Sequence, residues 1–264
     1  MRELNIIVLI KQVPNVAEIK INPETGTLVR EGVPSIINPN DRNALEEALH
    51  LKDQFGAKTT AVSMGPLQSR EVLREALNMG IDEAILVSDR AFAGADTSST
   101  SNVLGRVIEK LGKYDLVVCG LEAIDGMTAQ VGPQVAELLD IPQITYVRSI
   151  EIKDNKLIAT KVIEDGYQIV ESSLPALIAV TRDINVPRIP PMECILDACM
   201  RDVILWNAET LGLKNEETGL KGSATRIKKT MVVQMKSAKV EMIDEKPAKA
   251  AALVVENLKK KYLL

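Results

Sequence analysis

Leu116-Val-Val-Cys119-Gly120-Leu-Glu-Ala-Ile-Asp125-Gly126-Met127-Thr128-Ala129-Gln130-Val131-Gly132-Pro133 joins an apolar run to a small-residue loop that ends in a proline. Leu116 to Cys119 reads as a strand buried on both faces. Pro133 fits only the first turn of a helix, so the following helix starts near Val131 or Gly132. Its apolar positions are Val135, Leu138 and Leu139. A buried strand, a loop and a helix in that order make half of a βαβ unit.

The same unit repeats upstream. Leu4 to Ile10 is a nearly continuous apolar strand, and Thr59 to Ser63 and Ala84 to Val87 are the next two. Between them lie helical patterns. One follows the start signal Asn38-Pro39-Asn40-Asp41, carries Ala44, Leu45, Ala48, Leu49 and Phe55, and stops at Gly56. A second carries Val72, Leu73, Ala76 and Leu77, with Gly80 as its C-terminal cap. A third covers roughly 100–111. Strands alternating with helices of this length predict an α/β fold, a doubly wound and mostly parallel sheet. Such sheets bind ligands beyond the carboxyl ends of their strands, where the strand order switches.

Downstream, Ile144 to Val147 starts a further strand, and the alternation around Asp154-Asn155 predicts a β-hairpin extension. Val162 to Val170, broken at Asp165-Gly166, reads as another strand pair, and Ala176 to Val180 as a buried strand. Pro187, Pro190 and Pro191 precede a helix at about 192–200. Residues 207–246 are polar and without clear period, an extended arm, and a helix at about 247–261 offers Ala251, Leu253, Val254 and Leu258 as one face. That face either docks on a partner or packs back on its own domain. Residues 1–190 are expected to form the α/β nucleotide-binding domain, and 191–264 a docking helix, the arm and the C-terminal helix.

Composition removes several function classes. The 264 residues are 46% hydrophobic and carry 32 Lys and Arg against 36 Asp and Glu, a net charge of −4. That balance asks for neither nucleic acid nor an anionic membrane surface. Aromatics make up 3%, too few for a base-stacking platform. No apolar run approaches the ~18 residues of a membrane span, and the start lacks a secretory signal, so a cytoplasmic location is expected. Cys119, Cys194 and Cys199 form no CxxC pair, and His50 is the single histidine, so neither a disulfide framework nor a metal site is expected. His50 alone builds no catalytic triad, and no catalytic residue is assigned.

The chemistry that remains is nucleotide binding. The amides of Gln130, Val131 and Gly132 lack intrahelical partners and sit at the positive end of a helix dipole, a phosphate site that needs no Lys or Arg. A capped turn holding only water has the same appearance. A second loop, Ala91-Phe-Ala-Gly94-Ala-Asp96-Thr97-Ser-Ser-Thr100-Ser101, is rich in hydroxyls. It reads either as a mobile loop with Asp96 or Thr97 as cap, or as a polar collar for a sugar, a ribityl chain or a second phosphate. Neither GxGxxG nor GxxxxGK[ST] is present. A nucleotide site with few catalytic side chains suits a protein that positions a redox cofactor.

Several motifs, in order, resemble electron-transfer flavoprotein beta subunits. They are Val8-Leu-Ile-Lys11-Gln12-Val13-Pro14, Asn38-Pro39-Asn40-Asp41, Ala61-Val-Ser63-Met64-Gly65-Pro66, Gly120-Leu-Glu-Ala-Ile-Asp125, Leu174-Pro-Ala-Leu-Ile-Ala-Val-Thr and Asn185-Val-Pro-Arg188-Ile-Pro. The resemblance implies a heterodimer with an alpha subunit and a nucleotide held by Leu9, Asn38 to Asp41, Met64 and Gly120 to Val131. One branch of the family holds a structural AMP in this site. The electron-bifurcating branch holds FAD, takes a hydride from NADH, and sends one electron to the alpha-subunit FAD and a flavin dehydrogenase, the other to ferredoxin. The loops at 94–101 and 125–133 resemble the second branch, although Met127 and Ser98-Ser99 depart from its usual residues. On that resemblance the cofactor contacts are Leu9, Asn38, Asp41, Met64, Asp96, Thr97, Thr100, Gly120, Asp125, Gly126, Thr128, Ala129, Gln130 and Val131. Ile195 and Leu196 would anchor an acyl-CoA-type or 2-hydroxy-acid-type dehydrogenase, or else cover the sheet edge. A stress-type adenine-nucleotide module of similar fold has no use for the arm and last helix.

Overall fold

The computed structural model describes residues 4–15, 20–21, 28–29, 34–226 and 242–264. They separate into two units, Met1–Arg226 and Ile227–Leu264.

The chain begins with β1 (Asn5–Leu9) and a small antiparallel pair, β2 (Gln12–Pro14) with β5 (Ser35–Ile37). Between these lies a second short pair, β3 (Lys20–Ile21) with β4 (Leu28–Val29). Helix α1 (Pro39–Phe55) starts on Asn38 with Pro39 in its first turn and ends at Gly56, whose φ of 68° is left-handed. Then follow β6 (Lys58–Met64), α2 (Arg70–Met79), β7 (Glu83–Val87), α3 (Thr97–Leu111), β8 (Leu116–Gly120) and α4 (Val131–Leu138). Next come β9 (Gln143–Lys153), β10 (Lys156–Ile163), β11 (Gly166–Ser173), β12 (Ala176–Val180), α5 (Met192–Cys199), β13 (Ile204–Trp206) and the one-turn α6 (Gly219–Gly222). The second unit carries α7 (Pro247–Lys260).

Nine strands form one sheet in the order β11-β10-β9-β12-β8-β1-β6-β7-β13. From β9 to β13 every pairing is parallel, with Val8 opposite Ala61 on one side and Val118 on the other. Helices cover both faces. Leu45 and Leu49 of α1 and Leu73 and Met79 of α2 fill one side with Ile6, Val8 and Ile178. Val103, Val107 and Ile108 of α3 and Val135 of α4 fill the other with Ile7, Val117 and Leu177. The doubly wound sheet expected from the strand-helix alternation is the one present, and the central strands are buried along their length, as continuous apolar runs require.

The hairpin extension is also present, in a longer form. Ile144 to Val147 and the segment from Ile150 belong to one strand, β9, which turns at Tyr146 (φ 58°). Gln143, Ile144 and Val147 pair parallel with β12, and from Val147 onward β9 pairs antiparallel with β10. Asp154 and Asn155 make the β9–β10 turn with φ of 50° and 63°, the pair of positive values that a two-residue hairpin loop demands. β11 closes the antiparallel part at the end of the sheet.

The short strands β2 to β5 were not expected, and in the large sheet neither was one more. Ile204–Trp206 pairs parallel with β7 and extends the other end of the sheet. Three residues carry no readable period, so only the tertiary pairing identifies it. The start of the arm also has structure of its own. Residues 207–226 fall in the first unit and contain turns, a 3-10 turn at Asn215–Glu217 and α6. Residues 191–226 thus count with the first unit, although the sequence suggested a division at 190. The predicted arm continues to 246, and of that part 227–241 lies outside the described residues. No helix among the described residues is long and apolar enough to cross a membrane.

Candidate functional site

From β1 the sheet grows outward through β6 and β7, then the chain returns to lay β8 on the opposite side of β1. The switch in strand order therefore falls between β1 and β8, and the crevice for a ligand opens beyond Leu9 and Gly120. Asp41, in the first turn of α1, bridges those two strand ends. Its Oδ2 accepts the Lys11 amide at 2.8 Å and its Oδ1 the Gly120 amide at 3.1 Å. Burial pushes the Asp41 carboxyl up to about 7, against the hydrogen bonds from Asn38, Lys11 and Gly120 that favour its charged form. Gly120 has to be glycine, because a Cβ there would sit 2.6 Å from Asn40 Cβ and 2.7 Å from its carbonyl carbon, and would strike Asp41 Oδ1.

The loop after β8 is held from the same helix start. Asn38 Nδ2 and Asn40 Nδ2 each donate to the Glu122 carbonyl at 2.9 Å, and the Ile124 amide donates to Asn38 Oδ1 at 3.1 Å. Arg182 Nε, beyond β12, donates to Asn40 Oδ1 at 3.1 Å. Lys11 Nζ closes the outer side on Asp125 at 2.7 Å. The loop then turns through two left-handed non-glycine residues, Met127 (φ 46°) and Ala129 (φ 52°), before α4 begins at Val131. Left-handed residues with side chains cost of order 1 kcal/mol or more each and cluster where a backbone must present itself to a ligand. α4 lies tight on the sheet because Gly132 faces Cys119, whose Sγ would be 2.9 Å from an added Cβ. Cys119 is the buried core residue expected, its thiol pushed up by burial.

The loop after β7 arrives beside this one. Asp96 caps α3, its Oδ1 accepting the Ser99 amide at 2.9 Å. Thr97 Oγ1 is 3.4 Å from Gln130 Oε1 and accepts from Gln134 Nε2 at 3.3 Å. Ser101 Oγ lies 3.0 Å from Gln134 Oε1 and 2.7 Å from the Thr97 carbonyl. Hydroxyls and amides thereby join the amino-terminal turns of α3 and α4.

The candidates read from sequence fall into three groups. Asn38, Asp41, Gly120, Asp125 and the turn through Gly126, Thr128, Ala129, Gln130 and Val131 gather at the switch in strand order. Asp96, Thr97 and Thr100 start α3, with Thr97 bonded to Gln130 and Thr100 donating its amide to the Asp96 carbonyl at 2.9 Å. Leu9 and Met64 end β1 and β6 on the same edge, with the Leu9 side chain committed to the core. Lys11, Ser101, Gln134 and Arg182 join these networks and were not singled out. Lys11 stood within a quoted motif, but nothing in sequence pairs it with Asp125, 114 positions away. Among the described residues no group of three or more His, Cys, Asp or Glu could hold a metal ion.

The donor set suits an anionic, hydroxyl-bearing nucleotide. The first amides of α4 have no intrahelical acceptor, the left-handed turn exposes the backbone leading into them, and Lys11, Thr97, Thr128 and Gln130 add polar groups around it. Residues 25–210 match the electron transfer flavoprotein domain. The chain belongs to the electron transfer flavoprotein family. It is 50% identical over 261 residues, 99% of this chain and 100% of the relative, to the electron transfer flavoprotein subunit beta of Clostridium acetobutylicum. It is 45% identical over 262 residues to the caffeyl-CoA reductase-Etf complex subunit CarD of Acetobacterium woodii, again covering 99% and 100%. Protein FixA of Azotobacter vinelandii is 42% identical over 245 residues, 90% of this chain and 87% of that one. Among electron transfer flavoproteins this chain is of the beta-subunit type, and its role is in electron transfer.

Proposed function

We propose that this subunit pairs with an electron transfer flavoprotein alpha subunit to oxidise NADH and divide the electron pair. One electron goes toward the alpha-subunit FAD and a flavin dehydrogenase, the other to ferredoxin. FAD in the site at the switch in strand order would supply hydride acceptance and one-electron release when bound. The chain's own residues bind and orient. The first amides of α4 take phosphate, Thr97, Thr128 and Gln130 take hydroxyl or phosphate oxygens, and Asp41, Asn38 and Asn40 hold the loop that presents them. No side chain here is asked to act as an acid or base.

The observation that carries FAD over AMP is the joining of two loops. The hydroxyl-rich start of α3 is bonded to the start of α4 through Thr97, Gln130, Gln134 and Ser101, so the site has two polar walls. A structural AMP needs one. The likeness to a subunit of a caffeyl-CoA reductase-Etf complex agrees with a dehydrogenase or reductase partner. The test is to co-purify the subunit with its alpha partner, denature the complex, and quantify FAD and AMP per heterodimer. Two FAD and no AMP support the proposal, with ferredoxin reduction by NADH as the next assay. One FAD and one AMP sink it and leave a one-flavin carrier.

A further inference from the structure

Asp96 was expected to touch the cofactor, but both of its oxygens are occupied within the chain. Oδ1 accepts the Ser99 amide. Oδ2 accepts the Thr225 amide at 2.8 Å and the Thr225 hydroxyl at 2.9 Å, and the Asp96 amide itself donates to Ser223 Oγ at 2.9 Å. The hydrogen bond from Ser99, then those from the 224–225 segment, hold the Asp96 carboxyl below the usual carboxylate range. Three more contacts seat the same segment. The Leu220 amide donates to the Ala93 carbonyl at 3.0 Å, Asn102 Nδ2 donates to the Glu217 carbonyl at 3.1 Å, and Gly219, at φ 55°, passes so close to the Ala91 and Ala93 carbonyls that no Cβ fits.

We propose that residues 217–225 form a latch on the nucleotide site, and that Asp96, Ser223 and Thr225 are positioning residues for the cofactor rather than contacts to it. The chain of effect is short. Asp96 fixes the first turn of α3, the next residue is Thr97, and the Thr97 hydroxyl meets Gln130 and Gln134 at the start of α4. A latch that lets go leaves Thr97 free to leave α4, and the second wall of the site goes with it. The latch bonds lie at the surface while the core of the sheet lies elsewhere, so its loss loosens the site without unfolding the chain. The inference rests on the proposed nucleotide site, but not on which nucleotide fills it.

The experiment compares the holo heterodimer with Thr225→Val, Thr225→Ser and the double variant Ser223→Ala/Thr225→Val. Nucleotide release from the beta site is followed after dilution, together with the absorption spectrum of any flavin there and the thermal transition. The double variant should release nucleotide about fivefold faster, the factor given by ~1 kcal/mol of lost hydrogen bonding, and shift the flavin band. Thr225→Val should fall between, and Thr225→Ser, which keeps the hydroxyl, should match the parent. All three should keep the parent's thermal transition. Release and spectrum unchanged in the double variant overturn the latch. Equal loss in Thr225→Ser and Thr225→Val, or a fall in thermal transition that accounts for the release, overturns it too. Should the nucleotide released be AMP, the FAD proposal fails while the release rates still judge the latch.

Discussion

Gly120→Ala tests the switch point with one methyl group. In the parent, Gly120 donates its amide to Asp41 and has Asn40 against its α-carbon. The new Cβ would lie 2.6 and 2.7 Å from Asn40 Cβ and carbonyl carbon, atoms that the α1 backbone fixes in place, besides meeting Asp41 Oδ1. Overpacking of this kind costs ~1–3 kcal/mol. Either α1 or β8 has to shift, which breaks the bond from the Gly120 amide to Asp41 and leaves its buried carboxyl short of a donor, a further ~1–3 kcal/mol. Together the loss is about 2–6 kcal/mol, a fall in thermal midpoint of roughly 10 °C for a domain of this size. Because Asn38 and Asn40 hold the Glu122–Ile124 turn, the same shift should empty the nucleotide site. The assay is thermal unfolding of the heterodimer with nucleotide quantified on the same sample. A variant within about 1 °C of the parent and fully loaded refutes the account of Asp41 and Gly120 as the clamp between β1 and β8.

Three further outcomes are expected. Asp41, at about 7 in the folded chain, stands above its ordinary 3.8, so the folded state keeps a proton that the unfolded state releases. The stability this contributes is complete below pH ~4 and lost as pH rises through ~7, on the order of 2–4 kcal/mol. Urea titrations from pH 4 to 8 should show that slope in the parent and not in Asp41→Asn, and parallel curves would contradict it. Gly132→Val should press on Cys119 Sγ and Leu177, cost ~1–3 kcal/mol, and weaken nucleotide retention by lifting α4. Retention should partly return in Gly132→Ala/Cys119→Ala, read by nucleotide content. Lys11→Gln should change stability by less than ~1 kcal/mol, since the pair with Asp125 is half-exposed. Its signature should instead be a weaker salt dependence of nucleotide release.

The fold was legible because its signals are local and repeated. Pro39, Gly56, Gly80 and Pro133 mark helix ends by backbone chemistry alone, and the buried strands need no partner to be recognised. The hairpin turn at Asp154-Asn155 was legible for the same reason. Ile204–Trp206 was not, because three residues acquire strand identity only from β7. The site was legible as two loops but not as one arrangement. Nothing along the chain places Lys11 beside Asp125, Arg182 beside Asn40, or Thr225 beside Asp96. Those pairings come from the order of strands and the return of the arm. The polar positions of α1 show the limit best. Asn40, Asp41, Asn43, Glu46 and Glu47 are all buried, although helical patterning assigns such residues to solvent. Asn43 spends its amide on the Asn185 carbonyl, and Glu46 its carboxylate on Arg188, contacts across about 140 positions of sequence.

Among the described residues β11 pairs with β10 alone and ends the sheet, and along it Tyr167 and Ile169 are 61% and 75% exposed. Glu171 is its one charged side chain, and that charge is already taken by Lys156. Natural edges are blunted by lysine, proline or a bulge within the strand, and β11 has none of these over its eight residues. When the gene is expressed by itself, this edge is where one copy would template the next, and inclusion bodies rather than free subunit would accumulate. Co-expression with a partner that covers the strand, or a single lysine in place of Ile169, is the practical remedy, and the yield of dispersed protein would report which surface the cell has to shield.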